Sequence, residues 1–241
     1  MTTVVVPVSG GKDSQACLQL AIDAFGASSV TGLFCDTHFE HPKTYAHIQF
    51  MRRHYGVSIV SITAGSVDEK CIKHGRFPSG AARFCTDELK MRPSRDFYKA
   101  HALQVGAFEV WYGMRSDESS QRASRYAYIL DTELYQPHEV FPSKYPKSLG
   151  AAGVRFRLPV LNWSTSEVMA LIGSVANPLY SKGFGRVGCF PCLASGARTM
   201  AKAFAHDAFG AAQAGRVIRI SEVIGKDPMS SSGAPCGLCM I

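Results

Sequence analysis

The chain has 241 residues, 46% of them hydrophobic, and its 26 Lys plus Arg against 19 Asp plus Glu give a net charge of +7 at pH 7. This size can bury one substantial core, so we expect one main α/β domain with at most a small satellite. The N-terminus lacks the basic start and apolar core of a signal peptide, and no apolar run approaches the roughly 18 residues of a membrane helix. We expect a soluble cytoplasmic protein that makes no membrane contact. The positive charge indicates either an anionic ligand, such as nucleotide phosphate or a nucleic acid backbone, or a solvated basic surface.

The first 62 residues alternate between short β-branched runs and stretches with helical periodicity. The runs lie at residues 3–8, 30–34 and 57–62. Between the first two, Leu18, Ala21, Ile22 and Phe25 share one face of a helix that Gly26 ends. A second helix is predicted over residues 42–55. This alternation is typical of βαβ units with a parallel sheet.

Further elements are predicted in the second half. Strands are expected at residues 109–113 and 155–161, and Ser164 with Glu167 forms a capping box for a helix that ends at Asn177 and Pro178. Residues 116–153 are polar without a sustained period, which predicts a mobile segment or a substrate-facing lid. An alanine-rich helix over 197–214 and a short tail follow. We therefore place a main domain at 1–193 and a helical, cysteine-containing extension at 194–241.

The sequence SGGKDS follows the first predicted strand and opens the first helix. Its six residues are Ser9, Gly10, Gly11, Lys12, Asp13 and Ser14. Glycines allow a tight turn whose amides converge on a phosphate at a helix N-terminus, and the lysine and serines add charge and hydroxyl donors. Asp13 is expected to orient the loop or a magnesium ion. A purely structural strand-to-helix turn is the alternative, and the spacing is not that of a Walker motif.

Eight cysteines without a secretion signal indicate reactive or metal-bound thiols rather than disulfides. Two Cys-x-x-Cys pairs, Cys189 with Cys192 and Cys236 with Cys239, could form a four-thiolate zinc site. Cys85 stands alone in a charged segment. The loop histidines His38, His41 and His138 are interpreted as hydrogen-bonded surface residues rather than as metal ligands.

Five segments carry a resemblance to a known family. SGGKDS resembles the pyrophosphate-binding signature of the PP-loop adenine nucleotide α-hydrolase superfamily. FCDTHFEHPKTY, RFCTDELKMRP, YGMRSDESSQRA and NPLYSKGFGRVGCFPC resemble, in this order, segments of its phosphoadenosine phosphosulfate (PAPS) reductase family, with the DNA-phosphorothioation enzymes as the most similar branch. The matches run from residue 6 to residue 192. They imply an α/β fold, a Rossmann-like (HUP-type) parallel sheet flanked by helices.

The resemblance also implies site residues. An adenine nucleotide, with ATP and Mg²⁺ as cofactors, would contact the six SGGKDS residues together with Asp36, Thr37, Gly113 and Arg115. The substrate would contact Arg83, Lys90, Asp117, Glu118 and Arg122. ATP would be cleaved between its α and β phosphates, and Lys12 would act as the catalytic residue that neutralises the leaving pyrophosphate.

The cysteines carry the second implication of the resemblance. Related reductases hold a four-iron four-sulfur (4Fe-4S) cluster with a vicinal cysteine pair and a later Cys-x-x-Cys, so Cys85, Cys189 and Cys192 become candidate ligands, with Thr86 at the position of the missing cysteine. Cys236 or Cys239 could complete the set, or one iron could stay open, and zinc is the alternative metal. Cys236-Gly237-Leu238 also resembles the reductase tail whose cysteine is the nucleophile, although Pro235 and Cys239 depart from that tail.

Three functions follow as hypotheses. The first is an ATP-cleaving enzyme that takes part in sulfur transfer from a sulfur donor, with DNA as a candidate acceptor. The second is a PAPS or adenosine-phosphosulfate reductase that uses Cys236 and a thioredoxin-like reductant. The third is a zinc-stapled nucleotide-binding module without turnover. The full SGGKDS favours the first, since reductases commonly lack its lysine. The sequence does not decide whether the chain forms a homodimer.

Overall fold

The computed structural model describes residues 3–80 and 82–227. Within them, five strands form one sheet: β1 (Val4–Val8), β2 (Val30–Asp36), β3 (Ser58–Thr63), β4 (Glu109–Trp111) and β5 (Arg155–Arg157). Each neighbouring pair is parallel, in the order β3-β2-β1-β4-β5. β2 and β3 lie on one side of β1, and β4 and β5, which follow later in the chain, lie on its other side. Because ligands of such sheets bind where the strand order reverses, the crevice at the carboxyl ends of β1 and β4 is the expected binding place.

Helices cover the sheet and continue beyond it. They are α1 (Lys12–Phe25), α2 (Pro42–His54), α3 (Val67–His74), α4 (Phe84–Thr86), α5 (Arg92–Val105), α6 (Ser120–Arg125), α7 (Pro137–Val140), α8 (Lys147–Ala151), α9 (Thr165–Ile172), α10 (Ala197–Phe204) and α11 (Ala208–Ile224). A π-helical turn, Asp87–Met91, joins α4 to α5. The predicted α/β class with a parallel sheet is confirmed. Among the described residues, no helix combines the length and apolarity that crossing a bilayer requires.

The central strand explains why the core has two sides. Val4, Val6 and Val8 pack in one cluster of buried residues with α1 and α2, whereas Val5 belongs to another cluster on the opposite face. Successive side chains of a strand point to opposite faces, and a parallel strand covered by helices on both faces is apolar throughout. The valine run at the start of the sequence therefore forms the centre of the sheet.

Residues 116–153 do not form the mobile segment or lid that the sequence predicted. Tyr126, Val140, Phe141, Tyr145 and Leu149 are buried in the same cluster as Val5. They come from α6, α7 and α8 and the turns between them, and these helices have only four to six residues each. The prediction was wrong because such short helices show no periodicity, although their apolar side chains still meet on one sheet face.

The alanine-rich helix predicted over 197–214 is two helices, which is a second correction. Asp207 caps the start of α11, and its carboxylate accepts a hydrogen bond from the Gly210 amide at 2.9 Å. An aspartate that bonds to the backbone three residues ahead begins a new helix rather than continuing one. α10 and α11 pack on α3 and on the loop after β2, since Met200, Val217 and Ile220 share a cluster with Phe39.

Other boundaries differ by a few residues. β4 ends at Trp111 and β5 at Arg157, earlier than predicted, and α9 ends at Ile172 with Gly173 after it. The capping box of Ser164 and Glu167 is confirmed. The predicted tail, with Cys236 and Cys239, lies outside the described residues.

Candidate functional site

The turn after β1 is built from its glycines and serines. Gly10 has a φ of +73°, and a Cβ atom there would lie 2.7 Å from Cγ2 of Thr44, so only glycine fits without strain. Ser14 Oγ donates to the Gly11 carbonyl at 2.9 Å and accepts from the Ser9 amide at 3.2 Å. The turn is therefore held in one shape before any ligand binds.

Gly113 fixes the turn after β4 against the turn after β1. A Cβ atom on Gly113 would lie 2.5 Å from the backbone oxygen of Asp13 and 2.7 Å from the Cα of Ser14. Real Cβ atoms do not come so close to backbone, so this position needs a glycine. The two turns meet at the crevice between β1 and β4.

Two buried cations share one buried carboxylate at this crevice. Lys12 Nζ lies 3.3 Å from Oδ2 of Asp13, and Arg115 Nε lies 2.5 Å from Oδ1 of Asp13. Lys12 is 6% exposed and Arg115 is 3% exposed. Arg115 also contacts the half-exposed Asp117 at 2.6 Å. The two cations balance the carboxylates of Asp13 and Asp117, and the N-terminus of α1 supplies the partial positive charge that attracts an anion to the turn.

A later segment, residues 177–187, covers the turn after β1. The Lys12 amide donates to the hydroxyl of Tyr180 at 2.8 Å, and the Lys12 ammonium lies 5.5 Å from the Tyr180 ring centroid. Asn177 Nδ2 donates to the Gly10 carbonyl at 3.1 Å. A Cβ atom on Gly11 would lie 3.2 Å from the Val187 carbonyl oxygen. Tyr180 and Asn177 were not among the predicted site residues, although both stand at the start of the segment NPLYSKGFGRVGCFPC.

The loop after β2 places polar groups beside a cysteine. Thr37 Oγ1 donates to Glu40 Oε1 at 2.6 Å and lies 3.3 Å from Cys189 Sγ. Glu40 is 3% exposed, and its other oxygen accepts from the Phe39 amide at 3.1 Å. Asp36 accepts from the Tyr45 hydroxyl at 2.7 Å. Thr37, expected near the adenosine, thus also contacts the cysteine region, and Glu40 is a buried group that the sequence analysis did not select.

Three of the residues predicted to contact substrate, Asp117, Glu118 and Arg122, form ion pairs with neighbouring charged residues. Glu118 forms an ion pair with Arg122, whose guanidinium also lies 3.4 Å from the Arg115 carbonyl oxygen. Burial raises the pKa of Glu118, and Arg122 opposes this shift. Asp117 contacts Arg115. These pairs hold Arg115 in position, and a direct contact of Asp117, Glu118 or Arg122 with substrate stays a prediction.

The structure brings the three described candidate cysteine ligands together. Cys85, Cys189 and Cys192 line one small cavity of about 30 Å³, which Thr37 and Lys90 also line. Cys85 comes from α4, and Arg83, two residues earlier, occupies the N-cap position of this helix without a side-chain capping bond. The two Cys-x-x-Cys cysteines come from the loop before α10. Residues more than 100 positions apart therefore meet, as the resemblance implied.

A larger cavity extends from the cysteines to the turn after β1. Its volume is about 570 Å³, and Ser9, Lys90, Arg186, Cys189 and Cys192 are among its lining residues. Cavities of this size hold small-molecule ligands and cofactors. Both charged residues in its lining are basic, so the cavity suits an anionic ligand that reaches from Ser9 to the cysteines.

The thiols of Cys85, Cys189 and Cys192 are candidate ligands of a metal or a cluster. Burial raises the pKa of Cys189 to about 12, with Lys90 lowering and Glu40 raising it, so the thiol is protonated at neutral pH. Soft thiol donors in one cavity fit an iron–sulfur cluster or zinc, either of which would displace the proton. Three ligands are present, and the candidates for the fourth, Cys236 and Cys239, lie outside the described residues.

His41, His206 and Asp207 form the one group in residues 3–80 and 82–227 with three potential ligand atoms within 4.8 Å of one another. His41 Nδ1 accepts from the Lys43 amide at 3.0 Å, and Nε2 lies 3.0 Å from Asp207 Oδ2. A neutral imidazole that accepts at Nδ1 carries its proton on Nε2 and donates it to Asp207, which leaves no lone pair for a metal. The group therefore links the starts of α2 and α11. His41 is hydrogen-bonded as predicted, but it is buried rather than on the surface.

Comparisons with known proteins agree with this geometry. Residues 3–195 match the phosphoadenosine phosphosulfate reductase domain. An uncharacterized 37.8 kDa protein of Escherichia phage 186 is 28% identical over 254 residues, covering 85% of this chain and 71% of its own length. An uncharacterized protein of Methanocaldococcus jannaschii is 31% identical over 195 residues, covering 79% of this chain, and the chain spans only 36% of the archaeal protein.

A solved structure supports the fold. The crystal structure of phosphoadenylyl-sulfate reductase from Candida auris, in complex with phosphate, has a TM-score of 0.50 and 19% identity, covering 79% of this chain and 83% of that chain. At this identity the likeness concerns the fold alone. Members of the matched family are enzymes that act on adenine nucleotides. With its parallel sheet, its glycine turn after β1 and a match over residues 3–195, the chain belongs to the phosphoadenosine phosphosulfate reductase domain family of PP-loop proteins.

Proposed function

We propose that this chain is a PP-loop enzyme that binds ATP, cleaves it between the α and β phosphates and takes part in sulfur transfer in the style of the DNA-phosphorothioation branch. AMP would pass to an acceptor oxygen, and pyrophosphate would leave. One observation carries the proposal: a single cavity of about 570 Å³ is lined by Ser9 of the turn after β1 and by Cys189 and Cys192. A nucleotide bound at the turn would thus have its reactive phosphate beside the thiols.

Charge neutralisation is the main catalytic requirement of phosphoryl and adenylyl chemistry. Lys12 and Arg115 are buried at the turn, and Asp13 holds both in place. They would balance the charge that builds up on the leaving pyrophosphate. Because both Asp13 oxygens already face cations, Mg²⁺ would be held mainly by phosphate oxygens and water, as is usual for this ion.

The cysteine cavity would hold the second cofactor. Cys85, Cys189 and Cys192 would bind an iron–sulfur cluster, with Lys90 beside them to offset the negative charge of thiolates. Zinc at 2.3 Å from each sulfur would hold its thiolates about 3.8 Å apart. No three thiol sulfurs of the described residues lie within 4.8 Å of one another. The residues suit either a cluster, in which each thiolate binds a different iron, or a single zinc ion. The cluster would supply a soft centre for sulfur chemistry.

Two other functions remain candidates, each with its own product. A sulfonucleotide reductase would release sulfite from PAPS or adenosine phosphosulfate, and its support is the family match together with the cavity that joins turn and cysteines. A zinc-stapled module would bind nucleotide, release neither product and stay colourless. Measuring pyrophosphate from ATP and sulfite from both sulfonucleotides, on the same anaerobically purified sample, separates the three.

Lys12→Ala is the decisive variant for the ATP reaction. Removing the amine takes away the charge at the leaving group, so we expect pyrophosphate release to fall at least about a hundredfold, in the range found when one preorganised charge-stabilising group is lost. A coupled phosphatase assay for pyrophosphate measures it. Lys99→Ala, on the exposed face of α5, is the matched control and should keep full activity. Equal rates in the Lys12→Ala and wild-type proteins would reject the proposal.

A further inference from the structure

The wall of the larger cavity contains a charged residue to which neither the sequence motifs nor the proposed reaction assigns a role. Of the described residues, two charged ones line this cavity, Lys90 and Arg186. Lys90 lies at the cysteine end, since it also lines the small cavity that the three candidate cysteines share. Arg186 is exposed and belongs to the segment 177–187, which covers the turn after β1.

Contacts with the turn on both sides of Arg186 hold its backbone in place. Six residues earlier, the Tyr180 hydroxyl accepts from the Lys12 amide at 2.8 Å. One residue later, the Val187 carbonyl oxygen would lie only 3.2 Å from a Cβ atom on Gly11, so the backbone of the segment packs directly against the turn. The Arg186 side chain therefore begins beside the turn and lines the cavity that opens from it.

The charge of Arg186 acts on residues around the turn. Burial raises the pKa of Tyr180, and Arg186 opposes this shift. Burial also raises the pKa of Glu118, and Arg122 and Arg186 oppose that shift. Because such effects weaken with distance, they agree with the backbone contacts in placing the guanidinium on the side of the cavity that faces the turn.

The cations already assigned to the reaction lie behind the turn rather than in the cavity. Lys12 and Arg115 are buried, both contact Asp13, and neither is among the residues that line the cavity. In the proposed reaction they face the leaving pyrophosphate, whereas the reacting α-phosphate lies in the cavity toward Cys189. The α-phosphate also carries negative charge, and Arg186 is the basic side chain that the cavity offers beside the turn.

We propose that Arg186 binds the α-phosphate of the nucleotide, and that it does so separately from Lys12, which binds the pyrophosphate part. The inference deepens the proposed function and rests on it for the role of Arg186 in turnover, whereas the binding site itself does not depend on ATP cleavage. A guanidinium can donate two parallel hydrogen bonds to one phosphate, which fixes its orientation as well as its charge. The cavity would thus recognise a nucleoside monophosphate unit, and the turn would recognise pyrophosphate.

Titration calorimetry with AMP and with pyrophosphate, each added alone, tests this division. The variant is Arg186→Gln, which removes the charge of an exposed side chain. Loss of a hydrogen bond to a charged group should weaken AMP binding about tenfold to a hundredfold, while the Kd of pyrophosphate should stay unchanged. Arg186→Lys keeps the charge but not the planar fork, so we expect an intermediate Kd for AMP.

Lys182→Gln is the matched control, because Lys182 is an exposed cation of the same segment that is not among the residues lining the cavity. This variant should bind both ligands as the wild type does. The same AMP affinity in the wild-type and Arg186→Gln proteins would overturn the inference. So would an equal loss in Lys182→Gln, or a loss of pyrophosphate affinity in Arg186→Gln as large as its loss of AMP affinity.

Pyrophosphate release from ATP, measured on the same samples, separates the two proposals. If both hold, Arg186→Gln should release pyrophosphate about a hundredfold more slowly than the wild type. If the wild type releases none while AMP binding depends on Arg186, the reaction fails and the phosphate site stands. If Arg186→Gln matches an active wild type in both rate and AMP affinity, the site fails and the reaction stands.

Discussion

At the scale of single residues, the site is defined by contacts that only one residue type can make. Tyr180 places its hydroxyl at 2.8 Å from the Lys12 amide, the group that a helix N-terminus offers to an anion. The hydroxyl oxygen thus stands where a phosphate oxygen would accept. Burial raises the pKa of Tyr180, so the group stays a neutral hydroxyl. A nucleotide must displace this oxygen to reach the amide.

Tyr180→Phe should strengthen nucleotide binding. Without the hydroxyl, the Lys12 amide is left free for phosphate, and one hydrogen bond of about 0.5–1.5 kcal/mol converts to roughly a twofold to tenfold lower Kd for Mg-ATP or pyrophosphate. Titration calorimetry measures it. Tyr128→Phe, which removes an exposed hydroxyl bonded to the Glu139 carbonyl, should leave the Kd unchanged. Weaker binding in Tyr180→Phe would mean that the hydroxyl donates to the ligand instead.

Gly113→Ala should destabilise the protein. The added methyl would overlap the backbone of Asp13 and Ser14, which cannot move without distorting the start of α1. Overpacking of this kind costs about 1–3 kcal/mol of the free energy of unfolding. Gly185→Ala is the control, since nothing lies within 4 Å of its Cβ position. Denaturant unfolding of both variants tests the difference, and equal stabilities would contradict the close approach of the two turns.

At the scale of elements, one helical stretch positions the cysteine region. α4, the π-helical turn and α5 run without interruption from Phe84 to Val105. A π-helical turn often marks a functional site, because it shifts the helix face by a fraction of a turn. Here it carries Lys90, which lines both cavities, and Glu88, which accepts from His74 at 2.6 Å and from Lys73 at 3.4 Å. Glu88 thereby ties the stretch to α3.

Glu88→Gln should lower stability at neutral pH but not in acid. Burial acts to raise the pKa of Glu88, yet the bonds from His74, Lys73 and Lys70 outweigh it and lower the pKa to about 2. A depressed pKa stabilises the folded state fully above the unfolded value of about 4.3, and the contribution disappears as the pH falls toward 2. We expect a deficit on the order of 2 kcal/mol at pH 7. Urea unfolding between pH 7 and pH 3 would show the gap closing; a constant gap would contradict the ion pairs.

At the scale of the whole molecule, the fold assembles the site from four distant segments. The turn after β1, the loop after β2, α4 with its π-helical turn and the segment before α10 meet around the two cavities. Helices α10 and α11 pack against these segments, since Met200 and Ile220 share a buried cluster with Phe39. A cofactor bound in these cavities would therefore depend on the complete fold rather than on one motif.

Cys189→Ser should abolish cluster binding in anaerobic reconstitution with ferrous iron and sulfide. Serine is a much poorer ligand for iron, so we expect loss of bound iron and of the absorbance near about 400 nm typical of thiolate-bound clusters. Cys17→Ala, in the apolar cluster of α1, serves as the control and should keep both signals. If the Cys189→Ser protein kept its full iron content and absorbance, Cys189 and Cys192 would have a structural role only.

The order of the five strands and the helices α1, α2 and α9 were predictable from local patterns, and so was the glycine-containing turn after β1. The valine run, the glycine stop at Gly26 and the capping box at Ser164 act over a few residues, so periodicity reveals them. The segment 116–153 escaped because its helices are too short for a period. The break at Asp207 escaped because alanine-rich composition favours helix on both sides of the cap.

The sequence by itself determined the parallel α/β sheet, the glycine turn that Lys12 follows, and the Cys-x-x-Cys pairs, because each depends on spacing along the chain, whereas Cys85 became a candidate through the family resemblance. Only the tertiary structure decided that Tyr180 covers the Lys12 amide, that Arg115 shares Asp13 with Lys12, that Glu40 lies beside Cys189, and that one cavity joins the turn to the cysteines. These contacts link positions up to 168 residues apart, as between Lys12 and Tyr180. Such distances are set by packing on both faces of the sheet, which no local pattern encodes.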